Sequence, residues 1–211
     1  MRKYVLLSLG VLLAVFTARA DEKSDALLRR LAAQIDSYPS YRVDFEARMD
    51  GEFGATPGSY VVSGDCYRIE VSGTEVYSDG RVRESYNPAD DEVVIETADP
   101  ADRTILANPT QVFRFLDGEL THVHAGTEPV NGRNCEVIRL APRTPNEAYK
   151  SITLWIDAAT GLPAKLSYRV GESSADVEVL IDRIVPGAKL PASQFRFDRS
   201  KHPSAEVIDF R

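Results

Sequence analysis

Three histidines, two cysteines and one acidic run are the residues of this chain whose types could do chemistry. His122 and His124 stand two apart in a stretch of strand character, Leu120 to His124, so both rings leave the same face. Two imidazoles on one face are half of a zinc shell. No third ligand and no H-E-x-x-H helix accompanies them, so they read as two partly exposed histidines rather than a metal site. His202, beside Pro203, reads as a surface residue. Asp90-Asp91-Glu92 follows Asn87-Pro88 without the spacing of a calcium loop, and a solvated turn is expected there. There is no G-x-S-x-G elbow and no Gly-rich phosphate loop. No catalytic residue, metal or cofactor is assigned, although an enzyme could still assemble a site from distant residues.

The elements that would have to position any site are strands. In Tyr41 to Met49, Tyr41, Val43, Phe45, Ala47 and Met49 alternate with Arg42, Asp44, Glu46 and Arg48. Successive strand side chains point to opposite faces, so this segment has one dry face and one wet face. Tyr60 to Ser63, Cys66 to Val71, Glu75 to Ser78, Val82 to Tyr86 and Glu92 to Thr97 follow, joined by Gly- and Asp-containing turns. Further strands are expected at Leu120 to His124, Cys135 to Leu140, Tyr149 to Asp157, Pro163 to Val170 and Asp176 to Val185. No helical crossovers separate them, which points to an antiparallel meander. Two segments are expected to be helical. Asp25 to Tyr38 carries Ala26, Leu27, Leu31, Ala32 and Ile35 at helical spacing, with Ser24 or Asp25 as N-cap and Pro39 as stop. Asn108-Pro109 opens a second, with Val112, Phe113 and Leu116 on one face. Both should lie over the dry side of the sheet.

The chain opens with a basic Arg2-Lys3, an apolar Tyr4 to Phe16 and a small-x-small Ala18-Arg19-Ala20. These are the parts of a secretory signal peptide, residues 1–20, with cleavage expected after Ala20 and a single domain over 21–211. The apolar run is short for a membrane anchor. Removing Arg2, Lys3 and Arg19 leaves 22 basic against 32 acidic residues, a net charge of −10. An acidic exported domain is a poor binder of nucleic acid and gains little from anionic lipid surfaces. In an oxidising compartment Cys66 and Cys135 could form a disulfide. Cys66 shares the polar side of its strand with Arg68 and Glu70, while Cys135 lies with Val137, so bridge and separate thiols both stay open.

Ser78-Asp79-Gly80, followed after five residues by Tyr86-Asn87-Pro88, resembles the LolA family of periplasmic carriers of outer-membrane lipoproteins. The order of helix, alternating strand, second helical segment and Thr153 to Tyr168 hairpin agrees with it, as does the ending from Phe195-Arg196-Phe197 through Pro203 to Arg211. The resemblance implies an unclosed antiparallel β-barrel, mainly β with a few helices as a lid over an apolar cavity. It also implies a non-enzymatic carrier of lipoprotein acyl chains that touches membrane-bound donor and acceptor proteins only transiently, as a monomer. Family members of the best-known kind carry an Arg-Pro pair whose arginine ties the lid shut. Here that place reads Ser63-Gly64-Asp65-Cys66, and the residues between the two motifs are Arg81, Val82, Arg83, Glu84 and Ser85, so the chain resembles a divergent branch. A lid without the arginine is expected to be held by apolar packing alone. The lining expected for the cavity is Tyr41, Val43, Phe45, Met49, Tyr60, Tyr67, Ile69 and Val71, with Phe113 and Leu116 from the lid. The same residues could instead form a filled core. The rival functions are a sensor of lipids or lipoproteins with the same shape, and a secreted hydrolase.

Overall fold

The alternating segment lies at the middle of the sheet. The computed structural model describes residues 7–49, 54–99, 108–113, 120–144, 150–169 and 176–211. Its strands are β1 (Ser40–Met49), β2 (Thr56–Ser63), β3 (Cys66–Val71), β4 (Thr74–Ser78), β5 (Val82–Asn87) and β6 (Glu92–Thr97), then β7 (Leu120–Val130), β8 (Arg133–Pro142), β9 (Ser151–Asp157), β10 (Pro163–Arg169), β11 (Asp176–Gly187) and β12 (Glu206–Asp209). Among the described residues they form one curled, unclosed sheet in the order β12-β6-β5-β4-β3-β2-β1-β11-β10-β9-β8-β7. Two meanders, β1 to β6 and β7 to β11, therefore meet where β1 pairs with β11. The hairpin between β7 and β8 turns on Asn131-Gly132, both at positive φ (48° and 77°), which suits the twist of a two-residue connection.

One strand escaped the sequence reading. β12 pairs parallel to β6, so the sheet is antiparallel except at this edge. Its four residues are too few to show an alternation.

A single α-helix, α1 (Leu7–Asp36), is found among the described residues, with a short 3-10 turn at Ala192–Phe195. α1 starts well before the expected Asp25, so neither Ser24 nor Asp25 caps it. It ends as expected. Ser37 N–H bonds to Ala33 C=O (3.2 Å) and Tyr38 N–H to Ile35 C=O (3.1 Å), and Pro39 then has no N–H to continue. Its buried stripe is Ser24, Leu28, Leu31 and Ile35, turned slightly from the expected one, with Ala26 exposed. The second expected helix is not one over 108–113. Two i to i+3 bonds, Gln111 N–H to Asn108 C=O and Val112 N–H to Pro109 C=O, make turns there, and Leu116 lies outside the described residues. Among the described residues no helix is long and apolar enough to cross a membrane.

The main core lies on the concave face, where α1 and Val112-Phe113 pack on strands from both meanders. Two smaller clusters form apart from it. Tyr77, Tyr86 and Val93 hold Phe197 of the carboxyl-terminal segment, and Val130, Cys135 and Ala164 gather near Trp155. Cys66 and Cys135 are both free thiols, on strands separated by five others in the sheet.

Candidate functional site

Strand alternation puts Tyr41, Val43 and Phe45 of β1 on the same side as Tyr60 of β2 and Tyr67 and Ile69 of β3. Val43 is wholly buried and Phe45 is 2% exposed. Their rings form a connected aromatic floor: Tyr41 to Tyr60 at 6.4 Å, Tyr41 to Phe113 at 6.5 Å and Phe45 to Tyr60 at 6.0 Å between centroids. These spacings are those of favourable edge and tilted ring contacts. Burial pushes the Tyr168 phenol up to about 12, and burial with the neighbouring Tyr41 pushes Tyr60 well above its ordinary range. Both phenols stay neutral at any physiological pH.

Seven of the ten residues expected to line a cavity thus fall in one cluster: Tyr41, Val43, Phe45, Tyr60, Tyr67, Ile69 and Phe113. Val71 is half-buried at its margin. Met49 is 45% exposed at the end of β1, where the strand runs past the core. Leu116 lies outside the described residues. In this structure Leu28, Leu31 and Ile35 of α1 occupy the face, so its side chains pack against the chain's own helix.

The rim of this face is polar: His122 and His124, singled out in the sequence and half-buried here, meet Ser24, Lys23 and Glu136, whose pairing with them sequence reasoning missed. Register places His122 opposite Leu140, His124 opposite Ile138 and Glu136 opposite Ile156, and all three partners belong to the concave core. Ser24 Oγ and His122 Nδ1 are 2.8 Å apart. Glu136 Oε2 accepts from Lys23 Nζ at 2.8 Å and from His124 Nε2 at 2.6 Å. Burial alone would raise the Glu136 carboxyl, but the bonds from Lys23 and His124 outweigh it and hold the group below its ordinary value. A Ser–His pair has the composition of a nucleophile with its base. Ser24, however, is 0% exposed on the core-facing stripe of α1. The pair fastens a helix. The signal available in the sequence was the two-residue spacing of the histidines; the partner of His122 lies 98 residues away in α1, and that of His124 is Glu136 on the neighbouring strand.

Polar bonds thus join α1 to the sheet through Lys23, Ser24, His122 and Glu136, while most of the segment expected to pack as a lid, Asp99 to Leu116, lies outside the described residues.

The two short motifs have structural work to do near the other edge. Asp79 Oδ1 accepts the N–H groups of Arg81 and Val82, both at 2.9 Å, and so shapes the turn before β5. Its Oδ2 receives Arg196 Nη1 at 2.6 Å. Buried Glu84 accepts the Phe197 N–H at 2.9 Å. Tyr86 packs on Phe197 and His202, with centroids 4.9 and 4.4 Å away. Asn87 Oδ1 accepts the Ala89 N–H at 3.1 Å. Both motifs thus bind turns and the carboxyl-terminal segment. On the wet side of β1 to β3 an open depression of about 590 Å³ includes Arg42, Asp44 and Glu70, and Arg42 is already paired with Asp44. Among the described residues no three His, Cys, Asp or Glu side chains converge as metal ligands.

Residues 69–179, a little more than half of the chain, match the family model of the MucB/RseB N-terminal domain. No curated protein matches the sequence. Among solved structures, an uncharacterized conserved protein from Thermus thermophilus shares the fold, with a TM-score of 0.59 at 10% identity, over 89% of this chain and 99% of that one. The Pseudomonas aeruginosa MucA/MucB complex matches at a TM-score of 0.48 and 20% identity, over 83% of this chain and 61% of that one. A LolA superfamily protein from Nitrosomonas europaea matches at a TM-score of 0.43 and 12% identity, over 82% of this chain and 97% of that one.

Proposed function

The chain belongs to the MucB/RseB N-terminal domain family, as a divergent LolA-like member, and from that premise we propose that it is an exported, non-catalytic protein that binds the acyl chains of lipoproteins or related lipids on its concave face. The observation that carries this reading is one continuous apolar face, floored by aromatic rings from β1 to β3, whose cover is an amphipathic helix joined to the sheet by only Ser37, Tyr38 and Pro39. The magnitudes suit reversible binding. A buried methylene contributes about 0.8 kcal/mol, so one acyl chain supplies on the order of 10 kcal/mol. Withdrawing Leu28, Leu31 and Ile35 from the face costs about 1.5–3 kcal/mol each, roughly 5–9 kcal/mol together. A chain that takes the helix's place therefore gains only a modest net free energy, and can be handed on. With the signal peptide cleaved after Ala20, the protein carries its cargo through the periplasm toward the outer membrane.

Replacing Phe45 with Glu tests the face. An unpaired charge there costs several kcal/mol, on the order of 4 or more. Saturable binding of a fluorescent fatty acid is expected in the natural protein and lost in a folded Phe45→Glu variant; unchanged affinity would remove the assignment.

A second reading has its own support. MucB, one of the proteins that name the family, has been solved in complex with MucA. By that reading this domain binds a protein partner or a lipid signal and transports nothing. Transfer of a lipidated protein between two membranes by the purified chain separates the two: carriage requires it, sensing does not.

A further inference from the structure

Lys23 and Ser24 carry the polar bonds from α1 to the concave rim. The buried apolar contacts are made by Leu28, Leu31 and Ile35, toward the other end. That other end is tied to β1 by three residues, which span at most about 10 Å. It cannot leave the sheet. From Lys23 to Asp36 the helix is about 20 Å long. Any opening of the concave face is therefore a swing about Ser37–Pro39, whose displacement grows along the helix and is larger at Lys23 and Ser24 than at Leu28, Leu31 or Ile35.

We propose that Lys23 and Ser24, with His122, His124 and Glu136, form a releasable clasp that sets how often α1 uncovers the concave face; the inference rests on the acyl-chain reading for what the opening admits. Glu136 is its centre, because one carboxylate oxygen serves both Lys23 and His124. Hydrogen bonds are directional, and a displacement of about 1 Å breaks them, so they define one closed position of the helix. Water replaces them when the helix lifts, so their net contribution to closure is modest, and it is largest for the bonds to the Glu136 carboxylate. Lys23 is half-exposed and Glu136 largely buried, which lets water reach the clasp from the solvent side first. Apolar side chains in place of Ser24 and His122, which face the core, would weld the helix down. Polar residues on the core-facing stripe of α1 and the core-facing side of β7 are otherwise hard to account for, since each sits where its neighbours Leu28, Ile138 and Leu140 are apolar.

Amide hydrogen exchange on the full ligand-free chain tests the clasp in both directions. Glu136→Gln and, separately, Lys23→Met should speed exchange from Ser24 to Leu31 by roughly tenfold or more, well beyond any change in the amides of β1 and β9. The double variant Ser24→Ala, His122→Leu should slow it. The association rate of fluorescently labelled palmitate should rise in the first two and fall in the double variant. Unchanged α1 exchange in both Glu136→Gln and Lys23→Met overturns the proposal, as does equal acceleration in the central strands, which would make these residues part of global stability. If exchange moves as stated but palmitate binds to no form, the acyl-chain reading alone is overturned and the clasp remains as the fastening of α1.

Discussion

Gly58 lies directly opposite Phe45 across the β1–β2 pair, and the phenyl ring covers it. A Cβ at this position would stand 2.5 Å from Phe45 Cζ and 2.8 Å from Cε2, with the Glu70 carbonyl oxygen at 3.2 Å. The ring is 2% exposed and cannot move aside freely. Gly58→Ala should therefore destabilise the protein by about 1–3 kcal/mol, the usual cost of overpacking. Adding Phe45→Leu should recover part of that loss in the urea midpoint; two losses that simply add would mean that the ring and the glycine are not coupled. Phe45 was legible in the sequence because the period-two alternation around it is unbroken. Gly58 was not. Pro57-Gly58 has the composition of a turn, whereas here Pro57 pairs with β1 before the β2–β3 pairing begins at Gly58, a place where a missing N–H is tolerated. Ser24 was illegible for a similar reason: a hydroxyl on a buried helical stripe becomes reasonable only once His122 is known to face it.

The elements most readily found were those with a strong period, and the two motifs in the turns were found by type without their role. Asp79 was singled out as part of a recurring triplet, but its partner Arg196 is 117 residues away, and no local pattern connects them. The structure makes Asp79 a joint between a turn and the carboxyl-terminal segment. Burial tends to raise its carboxyl, yet the N–H groups of Val82 and Arg81 and the Arg196 guanidinium together hold it below the ordinary value. Its two kinds of bond can be separated. Arg196→Ala removes two ion pairs, to Asp79 and to Glu84, but their cation is 44% exposed, so the global loss should stay at about 1 kcal/mol, while amides from Val207 to Phe210 exchange faster. Asp79→Ala also orphans two turn N–H groups and should cost about 1–2 kcal/mol more. Equal melting temperatures for the two variants would show that the turn bonds contribute nothing. The segment at 108–113 misled for the opposite reason: Asn-Pro followed by spaced apolar residues fits a helix start, but here Val112 and Phe113 reach the core from turns.

At the scale of the molecule, alternation announced one half-wet sheet, but not that its first strand would lie at the centre, flanked by β2 and β11. That arrangement brings Asp44 of β1 against Arg183 of β11 as well as its neighbour Arg42. Asp44 thus joins Asp79 and Glu136 as a partly buried carboxylate tying distant parts of the chain. For Asp44, as for the other two, burial is the largest influence and raises the carboxyl, but the bonds, here to Arg183 and Arg42, outweigh it and leave the value lowered. The sign of the pH dependence follows. A carboxylate lowered in the folded state binds fewer protons than its unfolded counterpart, so its stabilisation is complete above the unfolded value and is lost as pH falls through the folded one. The ordinary values are 3.8 for the two aspartates and 4.5 for Glu136, so the loss begins near those values and continues below them. An opposing effect acts first. The chain carries a net charge of −7 near neutrality, and mild acid relieves its self-repulsion. Stability measured as a urea midpoint should therefore hold or rise slightly from about pH 7 to about pH 5, then fall steeply toward about pH 3. Glu136→Gln should start lower at neutral pH and show a shallower acid limb, because one of the three titrating ties is gone. A variant whose acid limb runs parallel to that of the natural protein would show that Glu136 titrates alike in the folded and unfolded chains, and that its bonds to Lys23 and His124 do not stabilise the fold.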